Sequence, residues 1–259
     1  MPSRLLDALS ARPLVLDAAM GTRLIARGLD LASDDPALWN LSRPEVVDAV
    51  HRLDIRAGSD ALVTNTFGAN RAWLARFARE GETRKINQRA VAIAREAAGP
   101  ARFLLGSIGP TAADRPGAYR DQADALTGVD ALLLETHTVD RALVGLAEIS
   151  RGGLPIIVSL FRWDSPEDSA RLIDAGANIL GANCVSPDVC RSMIGAIRGS
   201  VAIPLFAKPT DVSPRQIASD VPNLLRLGVR LIGGCCGTTE AHVAAIRSAL
   251  DLAIKTGIA

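Results

Sequence analysis

Apolar residues along this chain follow two alternating rhythms. Short, mostly apolar runs read as strands over 14–16, 60–67, 103–105, 129–134, 155–160, 178–183, 203–207 and 229–232. Between and after them, apolar residues spaced three and four apart read as helices over 44–57, 86–98, 119–126, 141–150, 166–175, 187–198, 214–227 and 239–255. In the first helix Val46, Val47, Val50 and Leu53 share a face, and Gly58 ends it. Mostly apolar strands must be covered on both faces, which a parallel sheet wrapped in helices provides. Eight such units predict an α/β protein built as a single (β/α)8 TIM barrel. A doubly wound open sheet fits less well, because the glycines after the first strand do not form a dinucleotide fingerprint. No linker or low-complexity tract breaks the alternation, so residues 1–259 read as one domain.

Composition narrows the function classes. The chain has 259 residues and 48% hydrophobic content, enough for a substantial core. Its 29 basic and 28 acidic residues are spread along the chain, which argues against nucleic acid and membrane surfaces as partners. Aromatic residues, at 3%, are too few for base stacking. The N-terminus lacks a signal-like apolar core, and no apolar run reaches spanning length. A cytoplasmic location is the expectation. Four cysteines do not make a disulfide framework in a chain of this length; in a reducing compartment they point to a metal or to catalysis.

Polar residues gather where the strands end, the edge on which barrel enzymes place their sites. Gly233-Gly234-Cys235-Cys236-Gly237-Thr238 follows the last strand, and Cys184 follows the sixth. Adjacent cysteines do not readily bridge each other, and flanking glycines mark a backbone that turns tightly or approaches something closely. Strands six and eight of a barrel have one neighbour between them. Cys184, Cys235 and Cys236 therefore read as a three-thiolate zinc site with one open position. Three independent buried cysteines are the competing reading. Cys190, within a helix that carries it away from the mouth, reads as core. Zinc held by three thiolates is a weak acid toward water but suits a fourth sulfur, which predicts alkyl transfer to a thiol rather than hydrolysis.

The remaining polar ends fit an amino acid. Asp17 and Glu135 suit an ammonium group, and the backbone N–H groups of Ala18-Ala19-Met20-Gly21 suit a carboxylate. Asp17 also reads as a turn cap, while Asn65 and Asn183 read equally as ligand contacts or as loop braces; Ser107 is a weaker candidate. His51 and His242 lie on helices and read as surface residues, and His137 lies near the mouth without a ligand signature. Lys208 is a minor candidate for a Schiff-base lysine, with no partner legible in the sequence.

Six motifs in order then resemble one known family. They are Asp17-Ala18-Ala19-Met20-Gly21-Thr22, Thr64-Asn65-Thr66-Phe67-Gly68-Ala69-Asn70, Gly106-Ser107-Ile108-Gly109-Pro110-Thr111, Glu135-Thr136, Gly181-Ala182-Asn183-Cys184, and the Cys235-Cys236 segment. Together, from about residue 13 to 250, they resemble the homocysteine S-methyltransferases. The resemblance implies zinc on Cys184, Cys235 and Cys236, completed by homocysteine sulfur, with Asp17, Glu135 and the backbone around Ala19 and Met20 at the amino-acid end. It also implies methyl transfer that yields methionine, from a small sulfonium or betaine donor or from a separate methyl-corrinoid protein. Another acceptor thiol, or a barrel active only as the subunit of a corrinoid system, are the alternatives. Two departures stand out: Ala18 occupies a position usually held by glycine, and the stretches after Thr111, Leu160 and Lys208, which shape the donor side, are short.

Overall fold

The computed structural model describes residues 3–111, 116–149, 153–163, 165 and 167–257. Eight parallel strands form one sheet: β1 (Leu14–Val15), β2 (Ala61–Val63), β3 (Phe103–Ile108), β4 (Ala131–His137), β5 (Ile156–Leu160), β6 (Ile179–Asn183), β7 (Leu205–Lys208) and β8 (Val229–Ile232). Their order is β1-β8-β7-β6-β5-β4-β3-β2, the (β/α)8 barrel expected from the sequence. Helix α1 (Arg4–Ala11) precedes β1, and α2 (Met20–Ile25), α3 (Trp39–Ser42) and α4 (Pro44–Ala57) lie between β1 and β2. After β2 come α5 (Arg71–Leu74) and α6 (Thr83–Ala98). Helices α7 (Ala118–Ala125), α8 (Val139–Ile149), α9 (Asp168–Asp174), α10 (Pro187–Arg198), α11 (Pro214–Arg226) and α12 (Glu240–Lys255) follow β3 to β8 in turn. The expected helix ends at 150 and 166 fall outside the described residues.

Strand residues two apart share a face, and the packing divides accordingly. Leu14, Ala61, Val63, Phe103, Leu105, Ala131, Leu133, Ile157, Ile179, Phe206 and Leu231 form the barrel interior, closed at one end by Leu5 and Leu9 of α1. Their neighbours Val15, Leu62, Leu104, Leu132, Val158, Leu180 and Ala207 pack outward against the helices. Counting on by two from the interior residues reaches Ser107, Glu135, Ser159, Asn183 and Lys208, all buried at the opposite end. The period that fills the core thus delivers the polar side chains to the mouth.

One seam is irregular. No ladder pairs β1 with β2; two carboxylates do much of the stitching. The Asp60 N–H donates to Val15 O at 2.7 Å and the Val15 N–H donates to Asp60 Oδ2 at 2.8 Å. One layer up, the Val63 N–H donates to Asp17 Oδ2 at 2.7 Å. Arg12 and Arg247 hold Asp60 from outside. The expected strand over 60–67 is cut short because Thr64, Asn65 and Thr66 turn instead, with Thr66 N–H donating to Thr64 O at 2.8 Å.

Asp60→Ala is expected to lower stability by about 1–3 kcal/mol, because it strands the Val15 N–H and two guanidinium groups. Asp60→Asn keeps an acceptor and is expected to lose less. Urea midpoints of both variants at pH 7 check this; equal midpoints for wild type and Asp60→Ala would refute the role of the carboxylate.

Candidate functional site

The two cysteine loops owe their positions to backbone rather than to side chains. Cys184 directly follows β6 in a left-handed conformation, φ 59°. Its N–H donates to Lys208 O at 3.3 Å, and the Cys235 N–H donates to Pro209 O at 2.8 Å, so the segment after β7 is stitched to both. A Cβ on Gly233 would stand 2.8 Å from Asp17 O, and one on Gly234 would stand 2.4 Å from Thr238 Oγ1. Only glycine lets the loop after β8 pack this tightly against the loop after β1. Thr238 locks the approach, donating to Cys235 O at 2.6 Å and accepting the Ala19 N–H at 3.2 Å.

The outcome is convergence. The sulfurs of Cys184, Cys235 and Cys236 all lie within 4.8 Å of one another, and those of Cys184 and Cys236 are 3.8 Å apart. Four sulfurs set tetrahedrally at a zinc–sulfur distance of about 2.3 Å have edges of about 3.8 Å. The soft donor set and the spacing therefore fit such an ion. The three thiols are close enough to hydrogen-bond one another, and contacts from Cys184 and Cys235 lower the pKa of Cys236. Cys190 is buried apart from the set, with Sγ against Ala182 O at 3.8 Å, as the sequence suggested.

Beside the sulfurs opens a cavity of about 320 Å³, at the lower end of small-ligand sites. Asp17, Ala19, Met20, Asn65, Glu135 and Lys208 line it together with the three cysteines. Asp17 Oδ2 is taken by the Val63 N–H, but Oδ1 is buried without a protein partner. Burial, opposed by Lys208, raises the Asp17 carboxyl to about 7. Glu135 Oε1 accepts from Ser107 Oγ at 2.5 Å, and Oε2 lies 3.5 Å from Lys208 Nζ. Burial disfavours the charge on Lys208, yet Glu135, Asp17 and Cys235 outweigh it and raise its pKa. A Schiff-base lysine must lose its proton, so Lys208 acts here as a fixed ammonium. Its partner Glu135 lies 73 positions away, out of reach of sequence reasoning.

Other candidates take more structural places. The Ala19 N–H is committed to Thr238, and the Ala18 and Ala19 carbonyls accept from Arg23 at 3.1 Å each. Arg23 is itself buried and doubly bonded to Asp54, at 2.6 and 2.7 Å. This brace under the loop had no signal in the sequence, because α2 is only 6 residues long. Asn65 lines the cavity while its Nδ2 donates to Pro36 O at 2.6 Å, which makes it at least in part a loop brace. Asn183 does not line the cavity; its amide hydrogen-bonds Thr136.

The histidines correct the sequence reading. His51 and His242 are buried, not on the surface. His51 falls four residues after Val47 and three before Asp54 on the inner face of α4, a spacing that already pointed inward. Burial lowers its pKa to about 3, so it packs as neutral imidazole. His242 accepts the Thr239 N–H at 2.9 Å and lies 2.7 Å from Val212 O, fixing the start of α12. His137 turns away from the cavity toward the Tyr119 hydroxyl, at 3.1 Å.

Comparison with known proteins agrees with this geometry. Residues 14–250 match the family described as homocysteine S-methyltransferase. The chain is 28% identical to the homocysteine S-methyltransferase of Escherichia coli (strain K12), covering 91% of this chain and 94% of that protein. It is 29% identical to the methionine synthase of Mycobacterium tuberculosis over 95% of this chain, but spans only about a quarter, 25%, of that protein's length. The metallated form of the homocysteine methyltransferase MmuM from Escherichia coli superposes with a TM-score of 0.81 at 27% identity, covering 94% of this chain and 99% of the other.

The buried Asp17 carboxylate carries a pH signature. Its folded pKa, about 7, lies above its unfolded value, about 3.9, so this group costs stability increasingly as pH rises between the two. Asp17→Asn does not titrate and keeps an acceptor for the Val63 N–H. It is expected to melt close to wild type near pH 4 and about 8–16 °C higher at pH 8, since a pKa raised from about 3.9 to about 7 is worth about 4 kcal/mol in a domain of this size. A gap that does not widen with pH would refute the shifted carboxyl.

Proposed function

The chain belongs to the homocysteine S-methyltransferase family, and we propose that it transfers a methyl group to the thiol of homocysteine, giving methionine, at a zinc ion held by Cys184, Cys235 and Cys236. The observation that carries this reading is the pairing of two unlike groups in one cavity. Three converging sulfurs and an unpartnered buried carboxylate oxygen on Asp17 line the same space. That pairing suits a small amino acid bearing a thiol.

Zinc on three thiolates supplies the soft acidity that keeps a fourth sulfur deprotonated at neutral pH. The chain's own residues do the rest. Asp17 Oδ1 receives the substrate ammonium, and Glu135, held by Ser107 and Lys208, adds a second carboxylate near it. Ala19 and Met20, braced by Thr238 and Arg23, form the wall beside the amino-acid end. The substrate thiolate attacks the methyl carbon in line; the new S–C bond forms as the donor's bond to that carbon breaks and its electrons leave with the donor. Holding both reactants in line accounts for much of the acceleration.

The donor is a small sulfonium or betaine, or a methyl-corrinoid on a separate protein. The second option draws support from the methionine synthases, which this chain matches over only 25% of their length. A panel of free donors, with and without a methyl-corrinoid protein, distinguishes the two. A panel of acceptor thiols tests homocysteine against other substrates.

Protein purified under reducing conditions is expected to carry about one zinc per chain. Cys184→Ser, Cys235→Ser and Cys236→Ser are each expected to lose both the metal and turnover, whereas Cys190→Ser keeps both. Homocysteine is expected to add one sulfur to the zinc shell in X-ray absorption spectra. Full turnover in Cys235→Ser would sink the mechanism, and zinc without a homocysteine response would move the search to another thiol.

A further inference from the structure

Thr136 and Cys184 both carry positive φ angles, 61° and 59°, and both line the cavity. For a β-branched residue such as Thr136 this backbone region costs about 1–3 kcal/mol and persists only where neighbours enforce it. Here it forms a bulge: Glu135 pairs with Ser159 but His137 already pairs with Leu160, so Thr136 is an extra residue in β4. Without that insertion Glu135 and His137, two apart, would face the same way. With it, Glu135 faces the cavity while His137 packs against Tyr119. Bulges beside active sites serve this purpose of re-aiming a side chain.

The enforcing neighbour is Asn183. The Thr136 N–H donates to Asn183 Oδ1 at 3.0 Å, and Asn183 Nδ2 donates to Thr136 Oγ1 at 2.8 Å. This two-point clamp reaches from β6 past β5 to β4, and Asn183 is fully buried. The same Nδ2 lies 3.9 Å from Cys235 Sγ, within reach of an N–H···S hydrogen bond. One carboxamide therefore touches the bulge beside Glu135, adjoins Cys184 through the chain, and meets the sulfur of Cys235.

We propose that Asn183 is a positioning residue that couples two groups lining the cavity, holding the Thr136 bulge that aims Glu135 and donating to the Cys235 sulfur that serves the metal. The inference rests on the zinc and homocysteine reading above and assigns Asn183 a task within it. A hydrogen bond to a thiolate draws charge from the sulfur and fixes its direction, leaving the metal a better acceptor for a fourth sulfur. Partners of this kind typically alter metal affinity 10–100-fold when removed.

The two arms can be separated. Zinc affinity is read by chelator competition, and homocysteine affinity by calorimetry with zinc saturating, for wild type, Asn183→Ala, Asn183→Asp and the pair Asn183→Ala with Thr136→Gly. Asn183→Ala is expected to lose about 10–100-fold in zinc affinity and to bind homocysteine more weakly even when zinc-loaded. Glycine adopts positive φ unaided, so Thr136→Gly in that background is expected to restore homocysteine binding while the zinc deficit remains. Asn183→Asp keeps the acceptor for the Thr136 N–H and loses the donor to sulfur, so the zinc deficit is expected there too, in a side chain of unchanged shape. Zinc affinity within twofold of wild type in both single variants, or a homocysteine deficit that Thr136→Gly leaves untouched, overturns the coupling. A wild-type protein that binds no zinc, or binds zinc but not homocysteine, overturns the functional reading instead, and the coupling falls with it.

Discussion

The site depends first on one spacing, the single strand that separates β6 from β8. Cys184 and Cys236 are 52 positions apart in the chain, and β7 alone lies between the strands that deliver them. Parallel strands sit about 4.8 Å apart, so strands two apart present residues that short loops can draw together. The segment after β7 serves as the template. Pro209 O accepts the Cys235 N–H, the Asp211 N–H and the Thr210 hydroxyl donate to Cys236 O, and the Thr210 N–H donates to Val185 O beside Cys184. Convergence of three sulfurs is thus built from main-chain hydrogen bonds and from two glycines that let loops touch.

A second constraint is electrostatic. Asp17, Glu135 and Lys208 are buried around one small cavity, and beneath the loop after β1 the Arg23–Asp54 pair is buried as well. Such groups do not serve stability well, since desolvation offsets most of what pairing returns. Their placement makes sense as preorganisation. Asp17 keeps one oxygen committed to the β1–β2 seam and the other unpartnered, so a single side chain joins barrel closure to the cavity. Arg23 ties the Ala18 and Ala19 carbonyls to Asp54 on α4, which holds the cavity wall rigid from behind.

Much of the architecture was legible in the chain because two short-range periods govern it. Mostly apolar runs marked the eight strands, and helical spacing marked the covering helices. Boundaries moved where a side chain competed with the ladder: the Thr64 and Thr66 hydroxyls, 2.6 Å apart, turn the chain after β2, and the Thr136 bulge extends β4 to His137. The short α2 was missed for want of a repeat. His51 is buried although its residue type suggests the surface, because its spacing from Val47 and Asp54 places it on the inner face of α4.

The barrel, the strand ends at which polar residues collect, and the three cysteines are all written in the chain's local pattern, in stretches no longer than one strand and one helix, repeated eight times. Which polar residues face the cavity and which brace the scaffold emerges with the closed fold. Lys208 finds Glu135, Asn183 finds Thr136, and Thr238 claims the Ala19 N–H, all across separations of tens to hundreds of residues. The physical reason is that a hydrogen bond or ion pair is decided by distances of a few ångströms. Those distances exist only once the barrel has closed.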